Sequence, residues 1–176
     1  MMHLCQRVYN LLDDVKAESD HRTYLLVAHN GISRIVQSYF YDMTNEELIN
    51  IAKLAWKNSV TGISSFGVGA ALLAKSGTVY IGANIEEKTI PSLSNCAERV
   101  AFQNAMSHGE REFLKIAIVG GKKGANNLED NISPCGVCLQ YMLDICPDVE
   151  IISYINGNIE SKKLVDYLNR PYKLVE

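Results

Sequence analysis

From residue 43 onward the sequence predicts a layered α/β domain built on a mixed sheet. Three observations carry that expectation. Two apolar runs flank Lys75-Ser-Gly77 and read as a β-hairpin closed by a glycine turn. After the hairpin, stretches of helical period alternate with short β-type runs, the pattern of helices laid against a sheet. The chain is 176 residues long with 47% hydrophobic and 21% charged residues, enough for one ordinary domain and a small appendage.

The elements follow in order. Leu4, Val8, Leu11, Leu12 and Val15 recur at helical spacing, so residues 3–19 read as an amphipathic helix. The run Thr23-Tyr-Leu-Leu-Val-Ala28 suits a buried strand, His29-Asn-Gly31 a turn, and Ile32, Ile35, Val36, Tyr39 and Phe40 a second helix. Residues 1–42 thus form a helix–strand–helix appendage. Residues 43–176 form the main domain. Thr44-Asn-Glu-Glu47 has capping-box spacing and opens a helix through Leu48, Ile51, Ala52, Leu54 and Ala55, with Trp56 near its end.

The hairpin strands are expected over residues 68–74 and 78–82, and Gly69, Ala70 and Ala71 imply close packing against the first. A helix is predicted from Cys96 to about Ser107, closed by His108-Gly109, and a buried strand over 114–119. Gly120 to Asn127 is polar and glycine-rich but lacks the spacing of a phosphate-binding loop. A second short helix runs from Cys135 to about Cys146, a strand spans 149–154, Asn156-Gly157 is a turn, and residues 161–168 read as a last helix.

Composition excludes several function classes. The formal net charge is -3, from 17 basic and 20 acidic side chains, with no long basic run to follow a nucleic-acid backbone. No apolar run reaches the ~20 residues of a membrane span, and the N-terminus lacks a signal peptide's pattern, so a cytoplasmic protein is expected. Of five cysteines, Cys5 and Cys146 fall outside any motif and read as semi-buried thiols.

The remaining three cysteines carry the chemistry. Cys96-Ala-Glu98-Arg99 and Pro134-Cys135-Gly-Val-Cys138 place Cys96, Cys135 and Cys138 at the starts of two helices, whose positive dipole ends favour thiolate. Three protein ligands leave a tetrahedral zinc with one open position, the mark of a catalytic site rather than a closed structural one. A purely structural zinc needs a fourth protein ligand. Neither Cys5 nor Cys146 nor any histidine has motif spacing to supply it. Glu98 stands two residues after Cys96, free to work beside the open position as a proton carrier. Asn84 and Glu86 occupy alternate positions of an extended segment and so face one side, able to hold one small polar ligand.

Residues 64–140 resemble the free-nucleoside cytidine deaminases. The resemblance rests on Ser64-Ser-Phe66-Gly-Val-Gly-Ala-Ala-Leu-Leu73, Gly82-Ala-Asn84-Ile-Glu86, Cys96-Ala-Glu98-Arg99 and Pro134-Cys135-Gly-Val-Cys138-Leu-Gln140, in the family's order and spacing. It implies a three-layer α/β/α sandwich around a mixed five-stranded sheet. It implies one zinc per chain on Cys96, Cys135 and Cys138, with Glu98 as the catalytic acid and base. Arg99 would hydrogen-bond the cysteine sulfurs. Asn84 and Glu86 would bind the sugar, Phe66 would line the pyrimidine pocket, and the backbone near Ala97 and Ser133 would read the base edge. The implied reaction is deamination of cytidine or deoxycytidine in pyrimidine salvage. The implied partners are a pyrimidine nucleoside and further copies of the chain, as a tetramer or a dimer, with neither nucleic acid nor membrane.

Departures from the pattern qualify the reading. Leu139 stands where the family usually has a second arginine, which removes a positive group near the metal and predicts a slower enzyme. Pro91-Ser-Leu-Ser-Asn95 and the tail Leu168-Asn-Arg-Pro171-Tyr172 match the family loosely. Alternatives are a deaminase of another small aminopyrimidine nucleoside such as blasticidin S, or a catalytically weak nucleoside-binding protein. Blasticidin-type enzymes lack the Asn-x-Glu pair, so Asn84 and Glu86 favour cytidine or deoxycytidine. The appendage around Leu26-Val-Ala-His29-Asn-Gly31 resembles the C-terminal end of histidine phosphatases (phosphoglycerate mutase-like). The Arg-His-Gly nucleophile of that chemistry occurs nowhere in the chain, so the segment reads as a non-catalytic remnant.

Overall fold

The computed structural model describes residues 2–17, 43–124, 128–168 and 171–172. The chain divides into two compact units, Met1–Met43 and Thr44–Glu176. Of the first, helix α1 (Met2–Ala17) is described and covers most of the helix expected over residues 3–19. The strand, turn and second helix expected between residues 23 and 40 lie outside the described residues.

The second unit begins at a capping box. Thr44 Oγ1 accepts from the Glu47 backbone N–H at 3.2 Å, and Glu47 Oε2 accepts from the Thr44 backbone N–H at 2.9 Å. Two otherwise orphaned donors are satisfied, worth about 1 kcal/mol to α2 (Asn45–Lys57). Strands β1 (Phe66–Ala74) and β2 (Val79–Ala83) follow as the predicted hairpin, then α3 (Ala97–Ser107), β3 (Phe113–Lys122), α4 (Gly136–Ile145), β4 (Glu150–Ile155) and β5 (Asn158–Lys163).

The strands form one five-stranded sheet in the order β2-β1-β3-β4-β5. Only the β3–β4 pair is parallel; the other three pairs are antiparallel, so the sheet is mixed as expected. The parallel step needs a crossover, and α4 supplies it.

Helices cover both faces, which explains why β1 is a nearly unbroken apolar run and not an alternating one. On one face Ala70, Leu72 and Ala74 pack in a single cluster with Ala97, Ala101 and Phe102 of α3, Met142 of α4, and Ile116 and Ile118 of β3. On the other face α2 lies directly against β1 at Gly69. A Cβ there would come within 2.3 Å of Ala52 O and Trp56 N. Gly82 plays the same part for α3, since a Cβ would lie 2.2 Å from Ala97 O. These glycines set how closely the two helix layers approach. The result is the three-layer α/β/α sandwich.

One element differs from expectation. Residues 161–168 form the end of β5 and a 3-10 turn at Leu164–Asp166, not a helix. Asn156 and Gly157 both have positive φ, 51° and 77°, and close a tight hairpin in which Ile155 pairs with Asn158. Such a two-residue turn delivers the chain straight back along β4, which leaves the following residues no course but a strand.

Candidate active site

The two helices that carry the metal motif begin at cysteines. Cys96 caps α3 with extended backbone (φ -75°, ψ 152°) and Cys135 caps α4 in the same conformation (φ -71°, ψ 163°). Neither side chain is spent on a capping hydrogen bond, so both sulfurs are free to turn toward each other. Cys138 sits one turn into α4 and is fully buried. Residues 39 positions apart in sequence thereby meet: the Sγ atoms of Cys96, Cys135 and Cys138 all lie within 4.8 Å of one another. Glu98 does not belong to that group. It is buried, at 4% exposure.

A cleft of about 490 Å³ opens above the cluster and is lined by Cys96, Glu98, Cys135, Phe66, Asn84 and Glu86 among others. Six of the nine residues singled out from sequence thus share one cavity. Cys138 is fully buried and does not line it. Arg99 stands beside the thiols and donates from Nη2 to Ser94 O at 3.1 Å. Ala97 is fully buried under Gly82 and does not line the cleft.

The rim of the cleft is held by side-chain bonds to backbone. Asn84 is buried; its Oδ1 accepts from the Val68 N–H at 2.7 Å and its Nδ2 donates to Phe66 O at 3.1 Å. Glu86 Oε2 accepts from the N–H groups of Ile63 at 2.7 Å and Ser64 at 2.9 Å, while Oε1 accepts from the Ser64 hydroxyl at 2.5 Å.

Comparison with known proteins agrees with this arrangement. Residues 42–153 match the model of the cytidine and deoxycytidylate deaminase zinc-binding region. The chain belongs to that family. Cytidine deaminase of Sporosarcina psychrophila is 43% identical over 104 residues, covering 59% of this chain and 71% of the relative. That of Halalkalibacterium halodurans is 39% identical over 120 residues, covering 67% and 86%. Among solved structures, cytidine deaminase of Burkholderia pseudomallei is similar at 35% identity and a TM-score of 0.65, covering 74% of this chain and all of that one. The Mycobacterium tuberculosis enzyme is similar at 28% identity and a TM-score of 0.62, covering 76% and all of it. The matched region starts at residue 42 and lends no support to the histidine-phosphatase reading of residues 1–42.

The donor set fits the zinc of this family. Sulfurs around a tetrahedral zinc stand about 3.8 Å apart, so a cluster already within 4.8 Å needs little movement to close on the ion. Of the thiols, Cys96 is primed to lose its proton. A hydrogen bond from Cys138, against the cost of burial and with help from Arg99 and Cys135, lowers the Cys96 pKa to about 5. Cys138 moves the other way: its hydrogen bond to Cys96, burial and the Glu98 charge keep the proton on it. Burial works against the Arg99 charge, yet the Cys96 and Cys138 sulfurs outweigh it and raise the pKa, so the guanidinium stays charged beside them. No fourth His, Cys, Asp or Glu joins the cluster among the described residues, which leaves the open position a catalytic zinc requires.

Burial raises the Glu98 carboxyl to about 7, and the Cys96 charge adds to it. A carboxyl that titrates near neutrality can both accept and give a proton, the property a general acid and base needs. Glu86 is shifted the opposite way. The Ser64 hydroxyl bond, against a smaller burial cost, and the Ser64 and Ile63 N–H groups hold its carboxyl below the ordinary range. Sequence reasoning missed Ser64, Asn95 and Asn131 as cleft residues. Nothing local marks a serine whose partner is 22 residues away.

Among the described residues no helix is long and apolar enough to cross a membrane.

Proposed function

We propose that the protein hydrolyses cytidine and deoxycytidine to the uridine forms with release of ammonia. The observation that carries this is Glu98, a buried carboxyl titrating near 7, facing the cleft beside three converged cysteine sulfurs without being one of the cluster. Cys96, Cys135 and Cys138 would hold the zinc, which supplies Lewis acidity and acidifies a water at its open position. Glu98 takes the proton of the attacking water on its carboxylate and passes it to the ring nitrogen next to C4. The water oxygen bonds to C4, the C4–amine bond breaks, and Glu98 delivers the second water proton to the departing ammonia.

The rest of the cleft orients the substrate. Phe66 offers a flat apolar face to the base. The Asn84 amide retains one N–H beyond its bond to Phe66 O, and Glu86 is held ionised, so together they suit a sugar hydroxyl. Arg99 offsets the formal -1 charge of zinc with three thiolates. Leu139 is buried in the apolar cluster, where it supplies no second positive group. That favours a slower enzyme over a fast one. Residues 1–42 take no part in this scheme. Assembly into a homo-oligomer is part of the proposal and is supported by Val60, Ile81 and Ile85, which are about half exposed around an apolar groove at the β2 edge.

The test is a zinc measurement on purified protein together with ultraviolet absorbance during incubation with cytidine and deoxycytidine. About one zinc per chain and a falling absorbance are expected. Bound zinc with no turnover, but competitive nucleoside binding, would replace the enzyme reading by the binding-protein one.

A further inference from the structure

We propose that Ser64 is a positioning residue of the sugar side of the cleft, fixing Glu86 so that one acceptor site of its carboxylate is left for a single ligand hydroxyl. The inference rests on the nucleoside reading above and deepens it. An ionised carboxylate offers about four acceptor sites, two on each oxygen. On Oε2, the N–H groups of Ile63 and Ser64 fill both. On Oε1, the Ser64 hydroxyl fills one. One site therefore remains on the oxygen that Ser64 holds.

The direction of the Ser64 proton follows from Glu86, whose carboxylate can only accept; the other acceptor within reach, Phe66 O, is farther at 3.5 Å. The Phe66 N–H donates to Ser64 Oγ at 2.9 Å, which anchors the hydroxyl oxygen beside Glu86. Ser65, between them, has φ +59°, the left-handed conformation that turns the chain so that residues 64 and 66 make this contact. The segment is exposed at the cleft rim, where a free glutamate would sample several rotamers and bind water. Three donors from two adjacent residues hold it in one. A carboxylate so held accepts one hydroxyl without a further ordering cost, whereas a two-pronged grip on a vicinal diol lacks an acceptor. The Glu86 carboxylate therefore has room for one sugar hydroxyl and not for a grip on two.

Steady-state kinetics of Ser64→Ala and Ser64→Thr on cytidine, 2'-deoxycytidine and 3'-deoxycytidine test this, with zinc content and thermal midpoint measured alongside. Losing a hydrogen bond to a charged group predicts a KM about tenfold higher for Ser64→Ala on cytidine, with the loss confined to KM. The deoxy analogue that lacks the hydroxyl read by Glu86 shows no such change, the other deoxy analogue behaves like cytidine, and Ser64→Thr restores KM. Should Ser64→Ala lower the thermal midpoint, adding it to Glu86→Gln decides the matter: KM rises no further if Ser64 acts through Glu86. An equal loss on all three nucleosides, an additive double variant, or an unchanged KM would overturn the inference alone. An unaltered protein that neither binds nor converts cytidine would overturn the functional reading together with it.

Discussion

Two glutamates share one cleft and end in opposite states. Glu98 is buried beside the cysteine cluster, and burial with the Cys96 charge raises its carboxyl to about 7. Glu86 sits at the rim with three donors aimed at it, and its carboxyl is lowered. Identical side chains are thus assigned different work by desolvation on one side and hydrogen bonding on the other. A neutral-range carboxyl can shuttle protons. A firmly ionised one can only accept hydrogen bonds, which suits recognition.

The sharpest way to break the contrast is to remove what creates the inner environment. Cys138→Ser takes a buried sulfur from the cluster, so bound zinc should fall far below one per chain and turnover should vanish with it. Retained zinc with ordinary activity would show that the cluster does not define the site.

The next effect is on stability without metal. Because Glu98 titrates near 7 when folded and near 4.5 ordinarily, its contribution is fully present below pH 4.5 and is lost as pH rises through 7. The shift corresponds to about 3 kcal/mol. Cys96, lowered to about 5, has the opposite sign and gains as pH rises from 5 toward 9. Glu98→Gln separates the two. Urea unfolding of metal-free protein should show that variant gaining on the unaltered chain by up to about 3 kcal/mol between pH 5 and 8. Parallel pH profiles would contradict the buried, proton-holding carboxyl.

On the outer side, Glu86→Gln keeps the shape but puts a donor where the Ile63, Ser64 and sugar donors converge. It should raise KM for cytidine by roughly 10- to 100-fold, as expected for a lost charge-assisted bond, with a smaller effect on kcat. A purely kcat effect would assign Glu86 to the chemistry and erase the division of labour. Leu139→Arg is expected to act most gently, raising kcat by up to about tenfold through a second positive group near the thiolates. Since Leu139 is buried among Phe102, Met142 and their neighbours, the thermal midpoint must be followed too. An unchanged or lower kcat at an unchanged midpoint would dismiss the arginine argument.

Both glutamates of this contrast are legible in the sequence, but the hydrogen bonds that hold the outer one are not. Cys96, Glu98, Cys135 and Cys138 lie on two helix starts, and local spacing fixes which way such residues face. The alternation of helices with strands likewise gave the layered sheet. Ser64 was opaque because its role depends on Glu86 22 residues later and on the turn at Ser65. The final strand was misread for a different reason. Asn156-Gly157 reads as a turn in the sequence, and a two-residue hairpin turn forces Asn158–Lys163 to pair with β4 whatever the helical spacing beyond it suggests.

The central claim is that Glu98 moves the protons while the three cysteines hold the metal. The most direct test measures zinc content and cytidine turnover on Glu98→Gln beside the unaltered chain. The account predicts about one zinc per chain in both and a turnover rate lowered by at least ~10²-fold in the variant. Full activity with zinc retained would contradict it.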